Sequence, residues 1–423
     1  MSRQNYQTGD SSVENLRRTL RITSLDDDDD EEDESPPNNT TNLINRMDEE
    51  DEDDEEDEED EMAVTIGFVE KPKHDWSLLP HLFPSKAGGF PAWLDPVNLP
   101  SGSSTVCGIC GDPLQFLLQV YAPLFEKKST FHRTLFVFMC PSMKCLLQDQ
   151  HEQWKRPSDN PSRSVKVYRC QLPRSNPFYS SEPPKHNGTV KPSEVKAALC
   201  SWCGTWKGCS VCGNCKTARY CSEKHQAAHW HKGHNNECRK LAIDPQNSSS
   251  SPGKIASNSI WPQFEIVDED EPEVDTMSEN GGYATALASV SHVDEGFNSL
   301  IHSFEADADK KSSATFQERV SRFPEQVIRY CWSTRAKPLW PMSSGRPSET
   351  DVPKCRYCGG PRCFELQILS KLLYYFGVKN DVNSLDWSTI VIYTCEASCD
   401  EGVVYKEEFA WVQLPSQTSA TVG

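Results

Sequence analysis

The chain has 423 residues, a formal charge of −20 and 18 cysteines. Its start holds no apolar run of a secretory signal, and no stretch reaches the ~18–20 apolar residues that cross a bilayer. These features predict an intracellular protein of two or three domains, with no membrane partner, whose reduced thiols favour metal over disulfides.

The charge is concentrated at one end. Residues 26–34 ("DDDDDEEDE") and 48–61 ("DEEDEDDEEDEEDE") hold 23 carboxylates, and without them the remainder carries +3. Such blocks repel themselves and bury no core, so residues 1–62 are predicted to be a disordered acidic tail. It serves either as a solubiliser or as a docking arm for a basic partner. With no basic stripe elsewhere, direct nucleic-acid binding is disfavoured.

Residues 63–175 read as a β-rich unit. "GFPAWLDPVNLPSGSSTVCGICGDPLQFLLQV" (89–120) runs from a Pro-x-Trp through a polar loop and a CxxC to an apolar stretch. "TLFVFMCPSMKC" (134–145) is a strand-like run ending in a cysteine pair, and "VYRCQLP" (167–173) closes the unit. The Pro- and Ser-rich segment 176–197 reads as a linker.

Residues 198–240 are a small metal module. Cys200-x2-Cys203 and Cys212-x2-Cys215 are knuckles that set two thiolates on one side of a turn. Cys221-x3-His225 and His234-x3-Cys238 have one-turn helical spacing, with Ser222 as an N-cap. Four pairs supply two tetrahedral zinc ions, and the stretch offers only Glu223 and Glu237 as hard ligands. Cys209-x2-Cys212 is a competing knuckle. The order resembles the MYND zinc finger, which prefers 212/215 and is cross-braced. The resemblance implies Cys200, Cys203, Cys221 and His225 on one ion, and Cys212, Cys215, His234 and Cys238 on the other. His229 and His231 are expected to be polar helix residues, and Trp230 to pack on the metal core. With eight protein ligands no position stays open for an activated water, which argues against zinc hydrolysis. Linkers on both sides should insulate a finger that folds alone with zinc.

Residues 241–315 read as a mostly flexible linker, with a short helix expected at "FNSLIHSF" (297–304). Residues 316–416 repeat the pattern of the first unit: "AKPLWPMSSGRPSETDVPKCRYCGGPRCFELQIL" (336–369), "STIVIYTCEASC" (388–399) and "FAWVQLP" (409–415). Residues 364–377 also fit a helix ending at Gly377. Each copy offers four thiolates: Cys107, Cys110, Cys140 and Cys145, then Cys355, Cys358, Cys395 and Cys399. They hold one zinc per copy or are buried apolar cysteines. Cys170, Cys209, Cys331 and Cys363 are assigned to buried packing, and 417–423 to a tail. The fold class is α+β and β-rich: two related zinc-knuckle halves close into one discontinuous domain around an inserted finger, since either half alone leaves edges and apolar faces uncovered.

The whole pattern, from "IGFVEKP" and "GGFPAWL" through "YRCQLPRSNPFYSSEPP" and the finger to "KCRYCGGPRCFELQIL", resembles the programmed cell death protein 2 family, in a plant or other eukaryotic member. It covers most of 64–241 and 319–415. The resemblance implies a non-catalytic chaperone, cytoplasmic and nuclear, that escorts a basic small-subunit ribosomal protein, universal small-subunit protein five, into 40S assembly. An acidic, concave escort suits such a client. An alternative is a corepressor adaptor whose Trp202, Trp206 and Trp230 line a groove for proline-rich peptides. A lysine methyltransferase is disfavoured, because the chain has no Asn-His-x-Cys run, and no P-loop, G-x-G-x-x-G or G-x-S-x-G either. No catalytic residue is assigned.

Overall fold

The computed structural model describes residues 63–74, 76–155, 162–185, 195–243, 261–272, 308–379, 381 and 383–415. The strands are β1 (Thr65–Glu70), β2 (Lys86–Ala87), β3 (Gln115–Tyr121), β4 (His132–Met139), β5 (Val165–Leu172), β6 (Ser210–Val211), β7 (Arg219–Tyr220), β8 (Phe264–Asp270), β9 (Ile328–Tyr330), β10 (Arg362–Leu369), β11 (Thr389–Cys395) and β12 (Tyr405–Gln413). The helices are α1 (Met143–Lys155), α2 (Glu223–His229), α3 (Asn235–Ile243), α4 (Ala308–Ser321) and α5 (Lys371–Tyr375). Among the described residues no helix is long and apolar enough to cross a membrane.

Ten strands close into an antiparallel barrel in the order β1-β8-β2-β3-β4-β5-β12-β11-β10-β9, so neither half keeps an open edge. β6 and β7 form a ribbon of their own in the finger. The expected joining of two halves into one β-rich domain is what the strand order describes.

The duplication holds residue by residue. Across β3–β4, Phe116 faces Phe138, Gln119 faces Phe136 and Tyr121 faces Thr134. Across β10–β11, Phe364 faces Tyr393, Gln367 faces Val391 and Leu369 faces Thr389. Both ladders slip at the same point, Phe116/Leu118 and Phe364/Leu366, so each carries the same bulge. The bulged residue is Leu117 in one half and Glu365 in the other.

The third segment of the repeat is displaced by one residue. Thr134 faces Cys170, whereas its counterpart Thr389 faces Gln413. Gln413 therefore stands where Cys170 does, and not at Gln171 as "VYRCQLP" and "FAWVQLP" align. A one-residue slip changes the face of every side chain, and the two glutamines do different work as a result. Gln171 donates to Ser398 O at 3.0 Å, while Gln413 donates to Ser344 O at 2.7 Å.

The stretch read as linker at 241–315 contains the missing strand. β8 pairs with β1 over six residues, from Thr65↔Asp270 to Glu70↔Glu265, and reaches β2 on its other side. β1 in turn pairs with β9 of the later half. The barrel therefore draws β8 from the stretch read as linker and sets β1 between β8 and the later half. Trp261 is buried and stacks on Phe376 at 5.2 Å. Gly88 makes room for this segment, because a Cβ there would lie 1.9 Å from Pro262 O, at a φ of +64°. α4 also starts inside the presumed linker, at Ala308. Residues 364–377 are strand and then helix: β10, a short α5, and a stop at Gly377 with φ +66°. The acidic tail, the helix expected at 297–304 and the tail at 417–423 lie outside the described residues.

Alternation along the strands sends Leu135, Val137, Leu366, Ile368, Ile390 and Ile392 into one apolar core. A polar network sits among them. Arg133 Nη2 donates to Glu365 Oε2 at 2.8 Å, Tyr330 Oη donates to Glu365 Oε1 at 3.1 Å, and Thr394 also donates to Glu365. Both members of the ion pair are fully buried, so deleting either would cost about 3–5 kcal/mol by stranding the other charge.

Candidate metal centres

The structure brings every predicted ligand into one of four clusters: Cys107, Cys110, Cys140 and Cys145; Cys200, Cys203, Cys221 and His225; Cys212, Cys215, His234 and Cys238; and Cys355, Cys358, Cys395 and Cys399. Within each, all ligand atoms lie within 4.8 Å of one another. Four thiolates at ~2.3 Å from a tetrahedral ion would sit ~3.8 Å apart. The sulfurs of Cys110 and Cys140 are 3.8 Å apart, Cys203 and Cys221 3.9 Å, Cys212 and Cys238 3.6 Å, and Cys355 and Cys399 3.7 Å. His225 presents Nδ1, 3.1 Å from Cys221 Sγ, and His234 presents Nε2, 3.7 Å from Cys215 Sγ. The spacing and the soft donor set both fit zinc.

One local turn builds all four knuckles. The N–H of residue i+4 donates to the carbonyl of the first cysteine: Gly111 to Cys107 at 2.9 Å, Gly204 to Cys200 at 2.8 Å, Lys216 to Cys212 at 3.0 Å and Gly359 to Cys355 at 2.7 Å. That residue takes a left-handed φ in each case, between 58° and 74°. The turn settles the competing knuckle. Cys212 opens one, whereas Cys209 is exposed, which also corrects its assignment to buried packing. Ser222 caps α2 as expected, accepting from His225 N at 3.2 Å.

Crowded thiols without a cation compete for protons. Cys107 is drawn down to about 5 by the Cys140 thiol beside it, and the same contact drives Cys140 up. Cys200 is likewise lowered, first by Cys203 and then by Cys221, while Cys221 is raised by Cys200. A divalent ion relieves this competition by holding all four as thiolates.

Supporting contacts were not visible in the spacing. His229 is no bystander: it stacks on the ligand ring of His234 at 4.7 Å and meets Tyr220 Oη through Nδ1 at 3.1 Å. Asn214 Nδ2 donates to Cys238 Sγ at 3.1 Å. His231, read as a polar residue and not a ligand, is exposed and outside the four clusters. Trp230 touches the His234 ring edge-on yet stays 43 % exposed.

The finger is not insulated. Trp206 is fully buried against the N-terminal half, 4.2 Å from the Phe138 ring and 5.8 Å from that of Trp93. Its Nε1 donates to Leu114 O at 2.8 Å, and Trp93 Nε1 returns a bond to Thr205 O at 2.8 Å. Lys224 of α2 pairs with Asp112 beside the first knuckle, an exposed contact that solvent screens. The described start of the segment read as linker, 176–185, packs down as well, with Tyr179 Oη donating to Leu94 O at 2.8 Å. Finger and first knuckle therefore share one aromatic core.

Comparison with known proteins matches this geometry. Residues 63–186 match the model "Programmed cell death protein 2, N-terminal domain", 310–414 match the family's C-terminal domain, and 200–238 match "MYND finger". β8 lies outside both domain matches. Programmed cell death protein 2 of Rattus norvegicus is 35 % identical over 364 residues, covering 84 % of this chain and 98 % of the relative. Programmed cell death protein 2-like of Homo sapiens is 27 % identical over 354 residues, covering 79 % and 91 %. A protein of Schizosaccharomyces pombe named "Probable 20S rRNA accumulation protein 4" is 22 % identical over 401 residues, covering 77 % and 91 %. No solved structure matches. With both barrel halves, the finger and a relative matched almost end to end, the chain belongs to the programmed cell death protein 2 family.

Proposed function

We propose that this chain is a non-enzymatic, zinc-dependent escort that delivers a basic small-subunit ribosomal protein to 40S assembly, working in cytoplasm and nucleus. The observation that carries the reading is the homology to a protein whose name refers to accumulation of 20S rRNA. Chemistry supports it. Four ions, one per cluster, would each be enclosed by protein ligands, with no position for substrate water. Asp268, Glu269 and Asp270 at the end of β8 are exposed and suit a basic client, and the sequence carries a further 23 carboxylates at 26–34 and 48–61. Universal small-subunit protein five is the client we infer from the family resemblance.

A second reading, an adaptor for proline-rich corepressor peptides, keeps Trp230 as its exposed aromatic. It loses Trp206, which is sealed against the barrel.

Affinity capture of the tagged full chain from eukaryotic cells separates the two. A small-subunit ribosomal protein as the stoichiometric partner is expected, and a corepressor assembly in its place would overturn the escort reading. Metal analysis of the same material should give about four zinc ions per chain, and two would reject the centres in the barrel.

A further inference from the structure

The turn that carries Cys395 and Cys399 belongs to the C-terminal half, yet residues of the N-terminal half grip it. Arg169 Nη1 donates to Cys399 O at 3.0 Å, and Nη2 lies 3.7 Å from Cys399 Sγ. Gln171 Nε2 donates to Ser398 O at 3.0 Å, and Arg133 Nε to Ser398 Oγ at 3.1 Å. Lys127 donates to Ala397 O. Ser398 is held at a φ of +43°, a left-handed conformation that a non-glycine residue keeps only when its surroundings impose it.

A second layer joins this grip to the other ligands. Glu408 accepts from Arg169 Nε at 2.8 Å, from Arg362 Nε at 2.9 Å and from Cys395 N at 3.2 Å. Arg362 Nη1 also donates to the carbonyls of Pro353 and Lys354, directly before Cys355. All three charged side chains are buried. Two guanidiniums share one carboxylate beside the four thiols, so Glu408 alone does not balance them. A zinc tetrathiolate carries −2 and would supply the missing counter-charge.

The first centre is held differently: buried Asp149 accepts from Ser164 N at 2.6 Å, and Ser164 O accepts from Cys140 N at 2.8 Å, but the paired guanidiniums have no counterpart. The register places Val412, Leu114 and Val165 at the points corresponding to Arg169, Arg362 and Glu408, and all three are apolar.

We propose that Arg169 is a positioning residue for the Cys355/Cys358/Cys395/Cys399 centre, acting from the opposite half, so that metal loading there and closure of the β5–β12 seam are one event. This rests on the reading that the barrel clusters hold zinc. Arg169 lies on that seam, where Lys406 faces it and Tyr405 faces Cys170. It orients one ligand turn, balances the charge of the loaded centre and is tied through Glu408 to the other ligands. Removing support of this kind typically weakens metal binding by about ten- to a hundredfold.

The test uses the full-length zinc-loaded protein and follows metal release to a chromogenic chelator. Arg169→Gln should release one ion about ten- to a hundredfold faster than the unaltered chain and leave the others unchanged. Arg169→Lys, which keeps the charge and loses the fork, should fall between. Cys355→Ser with Cys358→Ser should abolish that fast phase, which assigns it to this centre. In the converse measurement, hydrogen exchange in the same double variant should deprotect amides of 405–408 and 167–170, while the β3–β4 ladder keeps its protection. This measurement decides the matter if Arg169→Gln does not fold. Release rates identical in Arg169→Gln and the unaltered chain, or a seam that stays protected without the centre, would overturn the inference while four bound ions still stand. An unaltered protein holding only the finger's two ions rejects the zinc reading of the barrel and this inference with it.

Discussion

The two halves of the barrel share a bulge and the register of their paired strands β3–β4 and β10–β11, and differ in what surrounds them. In the N-terminal half the outer aromatics Trp93, Phe136, Phe138 and Tyr168 are sealed by the finger through Trp206. In the C-terminal half the equivalent cluster of Phe364, Val391, Tyr393 and Trp340 receives no finger, and Trp340 stays half-buried. Inside the barrel the contrast runs along other positions. The N-terminal bulge carries Leu117 and its neighbouring strand Met139, whereas the C-terminal half puts Glu365 and Thr394 in their places. Duplication therefore kept the β3–β4 and β10–β11 register and the knuckles, and let the last segment slip. It let the two outer faces and the two ends of the interior diverge, and those are where the halves meet the finger and each other.

The sharpest way to break this comparison is to truncate the matched tryptophans. Trp93→Ala opens a cavity in a core shared with the finger and should cost about 3–5 kcal/mol. Trp340→Ala removes a half-exposed ring and should cost about 1–2 kcal/mol by the same scaling. Equal costs in denaturant titration of the two zinc-loaded variants would show that the finger's cover adds nothing.

Nearly as large is the effect of making the halves alike inside. Glu365→Leu copies Leu117 but strands the Arg133 guanidinium, so a loss of about 3–5 kcal/mol is expected. Adding Arg133→Leu should restore most of it, and a double-mutant cycle measures the coupling. If the second substitution restores nothing, the pair is not what distinguishes the two ends.

The smallest effect concerns pH. His132 stacks on Phe83 at 4.1 Å, and burial, with Arg174 nearby, lowers its imidazole to about 4. Its unfolded value is ~6.5, so the folded state excludes a proton that the unfolded chain takes up. The stability it contributes is present above pH ~6.5 and is lost as pH falls toward 4. His132→Gln should flatten the stability profile in that window by up to one proton, read as the difference from the unaltered chain at equal zinc. Parallel profiles would mean that His132 protonates freely in the fold.

The metal centres were the most legible part of the molecule, because a knuckle is local: four residues and one turn suffice. The duplication was legible for the same reason up to β4 and β11. Its last segment misled, since a matching Gln-Leu-Pro says nothing about register, and only the cross-strand partners of Thr134 and Thr389 reveal the slip. β8 escaped notice because Ile266 is its one buried side chain, so "FEIVDED" has the composition of an acidic linker and becomes a strand only through β1 and β2. Trp206 gave no sign of its partner either. A tryptophan in a zinc finger has the same local surroundings whether it fills the finger's own core or a neighbour's.

The place of β1 between β8 and β9 has a consequence for birth on the ribosome. β1 is among the earliest of the described segments to leave the exit tunnel, but both of its neighbours are encoded far downstream, roughly 200 residues later for β8 and further still for β9. At translation rates of about 5–20 residues per second, the strand waits on the order of 10–40 s with its backbone unpaired. No vectorial pathway can finish the N-terminal half first, so the nascent chain must keep its own beginning soluble until its second half arrives.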